Sequence, residues 1–307
     1  MVRRLGLITA LLVAGAGQAW AQTPPIGEAG QEPPASALED VVVEGRPLEE
    51  RARQFVEEIA RPVTRRGLAR WDGPACFGVV NFSGDAAHAI ADQLVVRADE
   101  LGLPVGDADC EPNVFIIGTD DAPGVAQAWV DRSPGAFRPP VGSTVARRSA
   151  LDDFVSSDDA VRWWHISIPM HFDIFDQRSR PAVRLPGRGS SFLKVYAKSQ
   201  HASRIRDDLV KVLVLVDVVR MGSITVEQLC DYLLMVSYAQ IDPRGDTGTF
   251  ETILNLFDDR SVPGLTEWDR SYLTSLYAYD PTRRAAAGQQ GERLADALRR
   301  DEPAAAE

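Results

Sequence analysis

Apolar positions along the chain change their period from segment to segment, and the changes mark out the elements. Leu48 to Ile59 has helical spacing and predicts an amphipathic helix, whereas Phe77 to Phe82 is a short apolar run of strand length. Asp85 to Leu101 predicts a long helix, Asn113 to Thr119 a second strand and Gly124 to Ser133 a further helix. Strand, helix, strand and helix in that order predict a small βαβ unit with a right-handed crossover. A connector rich in Pro and Gly follows at Phe137 to Thr144.

Beyond that connector, Arg162 to Met170 and Ala182 to Leu185 predict strands, and LVKVLVLVDVVR at Leu209 to Arg220 is the strongest strand signal in the chain. Thr225 to Ile241 predicts a helix capped by its threonine, and two more helices are expected at Thr249 to Phe257 and Thr266 to Tyr277. Thr266 is placed to cap, with Asp269 three residues further on. The expected fold class is α+β: a βαβ-type subdomain over residues 48–140, then a mixed sheet packed with helices over residues 141–282. Residues 283–307 alternate charges with alanines, which predicts an exposed helix near Gly291 to Arg300 and a disordered tail EPAAAE. There is no internal repeat.

The ends bear on where the protein works. Arg3 and Arg4 precede an apolar run from Leu5 to about Gly17, and Ala19-Trp20-Ala21 has the form of a signal-peptidase site. Residues 1–21 are expected to be a Sec-type signal peptide, cleaved after Ala21 to leave Gln22 at the amino terminus. The run is shorter than the roughly 20 apolar residues of a permanent span, Pro24-Pro25 follows it, and no cysteine stands at the cleavage point for lipid attachment. Residues 22–47 read as a disordered leader, since Pro, Gly, Glu and Ala dominate them as far as Leu38. The best remaining apolar stretch, Leu209 to Val219, is interrupted by Lys211 and Asp217, so no transmembrane segment is expected after cleavage. The expectation is a periplasmic or secreted protein whose partner is an envelope protein or ligand. The formal charge of −11, made more negative by loss of Arg3 and Arg4, opposes nucleic acid as that partner.

An oxidising compartment gives the three cysteines meaning. Cys76 and Cys110 each precede a predicted strand, and two neighbouring parallel strands would bring them together; a Cys76–Cys110 disulfide is expected. Cys230 falls on the apolar side of a helix and is expected to be buried and inert. Of the four histidines, His165 and His171 lie six apart on one predicted strand, hence on one face, although Pro169 is expected to break the ladder between them. With Asp173 or Asp176 as a third partner they are the candidates for a metal or catalytic site; the structural alternative is two partly buried histidines among Trp163, Trp164 and Phe172. His88 in a helix and His201 in a polar loop are expected to be exposed. Asp242 to Asp246 (DPRGD) lacks the alternating oxygen ligands of a calcium loop and reads as a helix-terminating turn. Gly187 to Ser191 reads as a hairpin loop, lacking the lysine and following helix of a phosphate cradle. No serine lies in a G-x-S-x-G elbow, Trp71, Trp163, Trp164 and Trp268 read as core anchors, and no cofactor is expected.

The run LVKVLVLVDVVRMGSITVEQLCDYLLMVSYAQID, followed by TILNLFDD and LTEWDRSYLTSLY, resembles a zincin-like (metallopeptidase-like) family of secreted bacterial proteins in order and spacing, over Leu209 to Tyr277. In that family a strand precedes a helix with an E-x-x-Q or E-x-x-H type motif, and an F-N-D-D-like segment and a helix of the form L-T-x-x-D-x-x-x-L-x-x-L-Y follow. The mature chain as a whole resembles exported proteins of Gram-negative bacteria. The resemblance puts Val236 in the first metal-ligand place, Ser237 in the general-base place and Gln240 in the second ligand place. Zinc hydrolysis needs imidazole or carboxylate ligands and a glutamate base, which these three do not supply. It therefore implies a degenerate zincin-like region. Three functions are open on this reading: non-catalytic binding of an envelope component or a structural role, hydrolysis of envelope material around His165, His171 and Asp173, and a small-ligand binding module with an apolar pocket between the two blocks.

Overall fold

The structure is a computed structural model, and it describes residues 48–60, 68–137, 150–173, 178–181, 205–278 and 287–301. Its centre is the strand with the strongest sequence signal, β5 (Ile205–Asp217). With β1 (Phe77–Val80), β2 (Val114–Thr119), β3 (Val161–Asp173) and β4 (Arg178–Pro181) it forms a mixed sheet in the order β1-β2-β5-β3-β4. Pairing is parallel from β1 to β2 and β2 to β5, and antiparallel from β5 to β3 and β3 to β4. The apolar run Val212 to Val216 within β5 suits a strand covered on both sides. Val212, Val214 and Val216 enter one cluster of buried side chains, and Leu213 and Leu215 enter another on the opposite face. The fold is α+β, and residues 48–140 and 141–282 contribute strands to the same sheet.

The first face carries most of the helices. Helix α1 (Leu48–Phe55), α2 (Gly84–Glu100), α6 (Val226–Tyr238) and α7 (Glu267–Tyr277) bury Phe55, Leu94, Leu233 and Tyr272 there. Every residue of α6 from Leu229 to Tyr238 is buried, and the one charge among them, Asp231, is held by Arg97 of α2 (2.8 Å) and accepts from Leu265 N (2.9 Å). The second face is covered by α3 (Ala122–Arg132), α4 (Pro134–Phe137) and α5 (Ala150–Ser156), whose Val130, Phe137 and Phe154 meet Trp164 of β3. Both predicted caps form: Thr225 and Gln228 make a reciprocal capping box at α6, and Thr266 and Asp269 do so at α7. Among the described residues no helix is long and apolar enough to cross a membrane.

The Cys76–Cys110 disulfide is present, with the Cα atoms 5.9 Å apart. Cys76 stands directly before β1, and Asn113 beside β2 accepts from Cys76 N (2.8 Å) and donates to Pro74 O (3.0 Å), which aligns the two strand entries. Cys230 is buried in α6, and desolvation pushes its thiol up to about 12.

Three expectations are corrected. Thr249 to Phe257 is no α-helix but a run of turns with one 3₁₀ turn at Ile253–Asn255, because the buried Asp269 carboxylate takes Ile253 N (2.7 Å) and Thr252 Oγ1 (2.5 Å). The C-terminal helix α8 (Ala287–Asp301) is not exposed on all sides; Leu294 and Ala295 are fully buried and Gln290 Nε2 donates to Ser275 Oγ of α7 (3.1 Å). Gly291 permits its close approach to α1, since a Cβ there would come 2.7 Å from Arg53 Cα. Pro169 does not break β3, which runs on to Asp173. β4 pairs only from Met170 onward, so at Pro169 the strand has a described partner on the β5 side alone, where a proline is tolerated. The irregularity falls elsewhere, at Ile166/Ser167, where the register skips Val210 of β5. The signal peptide and leader (1–47), Asp176, Ala182 to Leu185, Gly187 to Ser191, His201 and the tail EPAAAE lie outside the described residues.

Candidate functional site

His165 projects from β3 to the C-terminal end of α6, where its Nε2 lies 2.6 Å from the carbonyl oxygen of Val236. A carbonyl only accepts, so Nε2 carries the proton. Burial pushes the imidazole down to about 4, leaving it neutral at physiological pH. His171 and Asp173 lie further along the same strand, in register with Arg180 and Arg178 of β4. Six residues of strand set the Cα atoms of His165 and His171 about 20 Å apart, too far for two imidazoles to share an ion. Among the described residues no three His, Cys, Asp or Glu groups converge on a point that could hold a metal. The structure does not assemble the three candidates into one centre.

The reason for His165 is the end of α6. A helix leaves its last four carbonyls without intrahelical donors, and here each has found one. Met235 O accepts from Ala239 N (3.1 Å), Val236 O from His165, Ser237 O from Trp71 Nε1 (2.9 Å) and Tyr238 O from Tyr277 Oη (2.8 Å). Tyr277 Oη in turn accepts from Trp71 N (3.1 Å), and Trp163 Nε1 donates to Ile241 O just past the helix (3.0 Å). Val236 and Ser237 are fully buried, and Gln240 Oε1 accepts from Ala69 N (3.2 Å). All three positions singled out by the zincin-like resemblance thus face protein contacts. Sequence reasoning found the tryptophans as anchors but not their donor role, which depends on contacts 78 to 166 residues apart in the chain.

Next to this collar lies a cleft of about 170 Å³, formed where the start of β3, Tyr232 of α6, the turn after α6 and the segment Leu254 to Asp258 meet. Its apolar wall is aromatic: Tyr232 sits edge-on to Phe257 (4.9 Å between centroids) and to Trp163 (6.1 Å). Its polar wall carries Asp159, Asp242 and Asp258, and no Lys, Arg or His lines it. No match to the chain exists among family models, curated proteins or solved structures. The site's own chemistry is therefore the basis for its function. Asp159 is partly offset by Arg244, whose Nη2 lies 3.2 Å away, and Arg244 N donates to Asp242 Oδ1 (3.0 Å) in the turn expected at DPRGD. Tyr232 is only 6% exposed, and its hydroxyl makes no hydrogen bond with any described residue. Burial first, then the charges of Asp159 and Asp258, push its phenol up. Nothing local in the sequence marks this cleft, since its walls come from four segments between residues 159 and 258.

Proposed function

We propose that the chain is an exported, non-catalytic binding protein of the cell envelope, with the cleft beside α6 as its ligand seat. The collar of donors around the end of α6 carries the reading. His165 is neutral, buried and engaged with Val236 O, and Trp71, Trp163 and Tyr277 are engaged in the same way. The Cys76–Cys110 disulfide supports an oxidising compartment, as does the signal-like start of the sequence. On the zincin-like resemblance, Val236, Ser237 and Gln240 occupy positions where metal and base would stand, and the region would keep the scaffold of a hydrolase without its site.

The test is crosslinking in cells. A photoreactive residue at Thr247, on the cleft wall, is compared with one at the exposed His88 of α2. A discrete adduct from Thr247 and none from His88 is expected. Equal labelling from both positions, or none from Thr247, would overturn the cleft as the seat. Turnover of an envelope polymer by the purified protein, lost on Asp173→Asn, would overturn the non-catalytic reading.

A further inference from the structure

Resting on that reading, we propose that the cleft receives a guanidinium group, carried on an aliphatic stem, between Asp159, Asp258 and the hydroxyl of Tyr232. Charge sets the sign of the ligand. Three carboxylates and no cationic side chain line the cleft, so an anion would be repelled and a cation concentrated there. Geometry sets its shape. The described carboxylates do not converge as metal ligation demands, so a compact divalent ion has no cage. A guanidinium spreads five N–H donors over a rigid plane and can serve acceptors that stand apart. Asp159 already accepts one such group from within the chain, at 3.2 Å from Arg244 Nη2.

Tyr232 is the independent observation. Its ring is buried, but its hydroxyl is not among the buried polar atoms left without a partner, so it is open to the cleft, where water or a ligand satisfies it. Lining the cleft and close enough to feel both Asp159 and Asp258, it offers an acceptor to a third N–H of the ligand. The rings of Trp163, Tyr232 and Phe257 supply the apolar wall along which methylenes of the stem can lie. Size completes the match. At about 170 Å³ the cleft is close to the ~150 Å³ of a cavity that admits benzene, so it holds one side-chain-sized group and no more.

Such a group comes either from a free guanidino compound or from an arginine on a partner protein. The probes are N-acetyl-arginine methylamide, its neutral isostere N-acetyl-citrulline methylamide, and an extended octapeptide with a central arginine, titrated while the indole N–H resonance of Trp163 is followed. The arginine probe is expected to shift that resonance and to bind at least about tenfold more tightly than the citrulline probe. Asp258→Asn and Tyr232→Phe should each weaken it severalfold; Asp258 is at the surface, so its variant is expected to fold. Tighter binding of the octapeptide assigns the source to a protein, and equal binding assigns it to a small molecule. Citrulline binding as well as arginine, or an arginine response unchanged in both variants, would overturn the proposal. If Thr247 still gives its adduct in that case, the binding reading stands and the ligand class alone falls; if it gives none, both fall.

Discussion

His165→Gln isolates the part His165 plays in stability. Glutamine keeps a donor for Val236 O but cannot titrate, so the pH dependence of the difference between variant and wild type belongs to the imidazole. Burial lowers the folded-state value from the ordinary 6.5 to about 4. Between those values the unfolded chain binds the proton and the folded one does not, so stability is present above about pH 6.5 and is lost as pH falls toward 4. Worked through the linkage relation, His165 costs the wild type about 1.4 kcal/mol at pH 5.5 and about 2.5 kcal/mol at pH 4.5. At pH 7 the shorter side chain of the variant loses packing and bond geometry, roughly 1 to 3 kcal/mol. Urea unfolding of both proteins at pH 7, 5.5 and 4.5 should therefore show the wild type ahead at neutral pH and the gap narrowing by about 2.5 kcal/mol at pH 4.5. Asp231 and Asp269, whose carboxyls burial pushes up, titrate in both proteins and drop out of the difference. A gap constant across the three pH values would refute a neutral, buried His165 donating to α6.

Other consequences follow from particular contacts. Replacing Cys76 and Cys110 together by serine frees a loop closed over a separation of 34 residues and should lower stability by about 3 to 4 kcal/mol, measured by urea midpoint, with no further loss on adding reductant. Asp269→Ala leaves Ile253 N and Thr266 N without their acceptor in the interior and should cost about 2 to 4 kcal/mol; a loss under 1 kcal/mol would show that the α7 capping box is not holding the Thr252 segment. Cys230 should resist a thiol reagent at pH 8 until denaturant is added, because its thiol is buried and held at about 12.

The elements with a local cause were legible in the sequence. β5 announces itself because its middle, Val212 to Val216, is buried on both faces and apolar without a break, and α6 and α7 start where Thr225 and Thr266 meet a capping partner three residues on. The Cys76–Cys110 bridge was legible too, since parallel pairing of the strands after each cysteine dictates it. Features with a distant cause were not. Thr249 to Phe257 has helical spacing, but Asp269 claims its backbone from another element. Gly291 to Arg300 has the composition of a solvated helix, yet its Leu294 stripe finds α1 and α7. The cleft was illegible for the same reason, because Asp159, Tyr232 and Asp258 meet only once the sheet and α6 are in place.

On the proposed reading His165 and the three residues in the zincin-like positions serve the scaffold, and metal content tests that most directly. The mature protein, purified without chelator or metal affinity resin, should carry well under one zinc per chain by mass spectrometry and take up none tightly on titration. Near-stoichiometric zinc, lost on mutating His165 or His171, would contradict it and return the chain to the hydrolases.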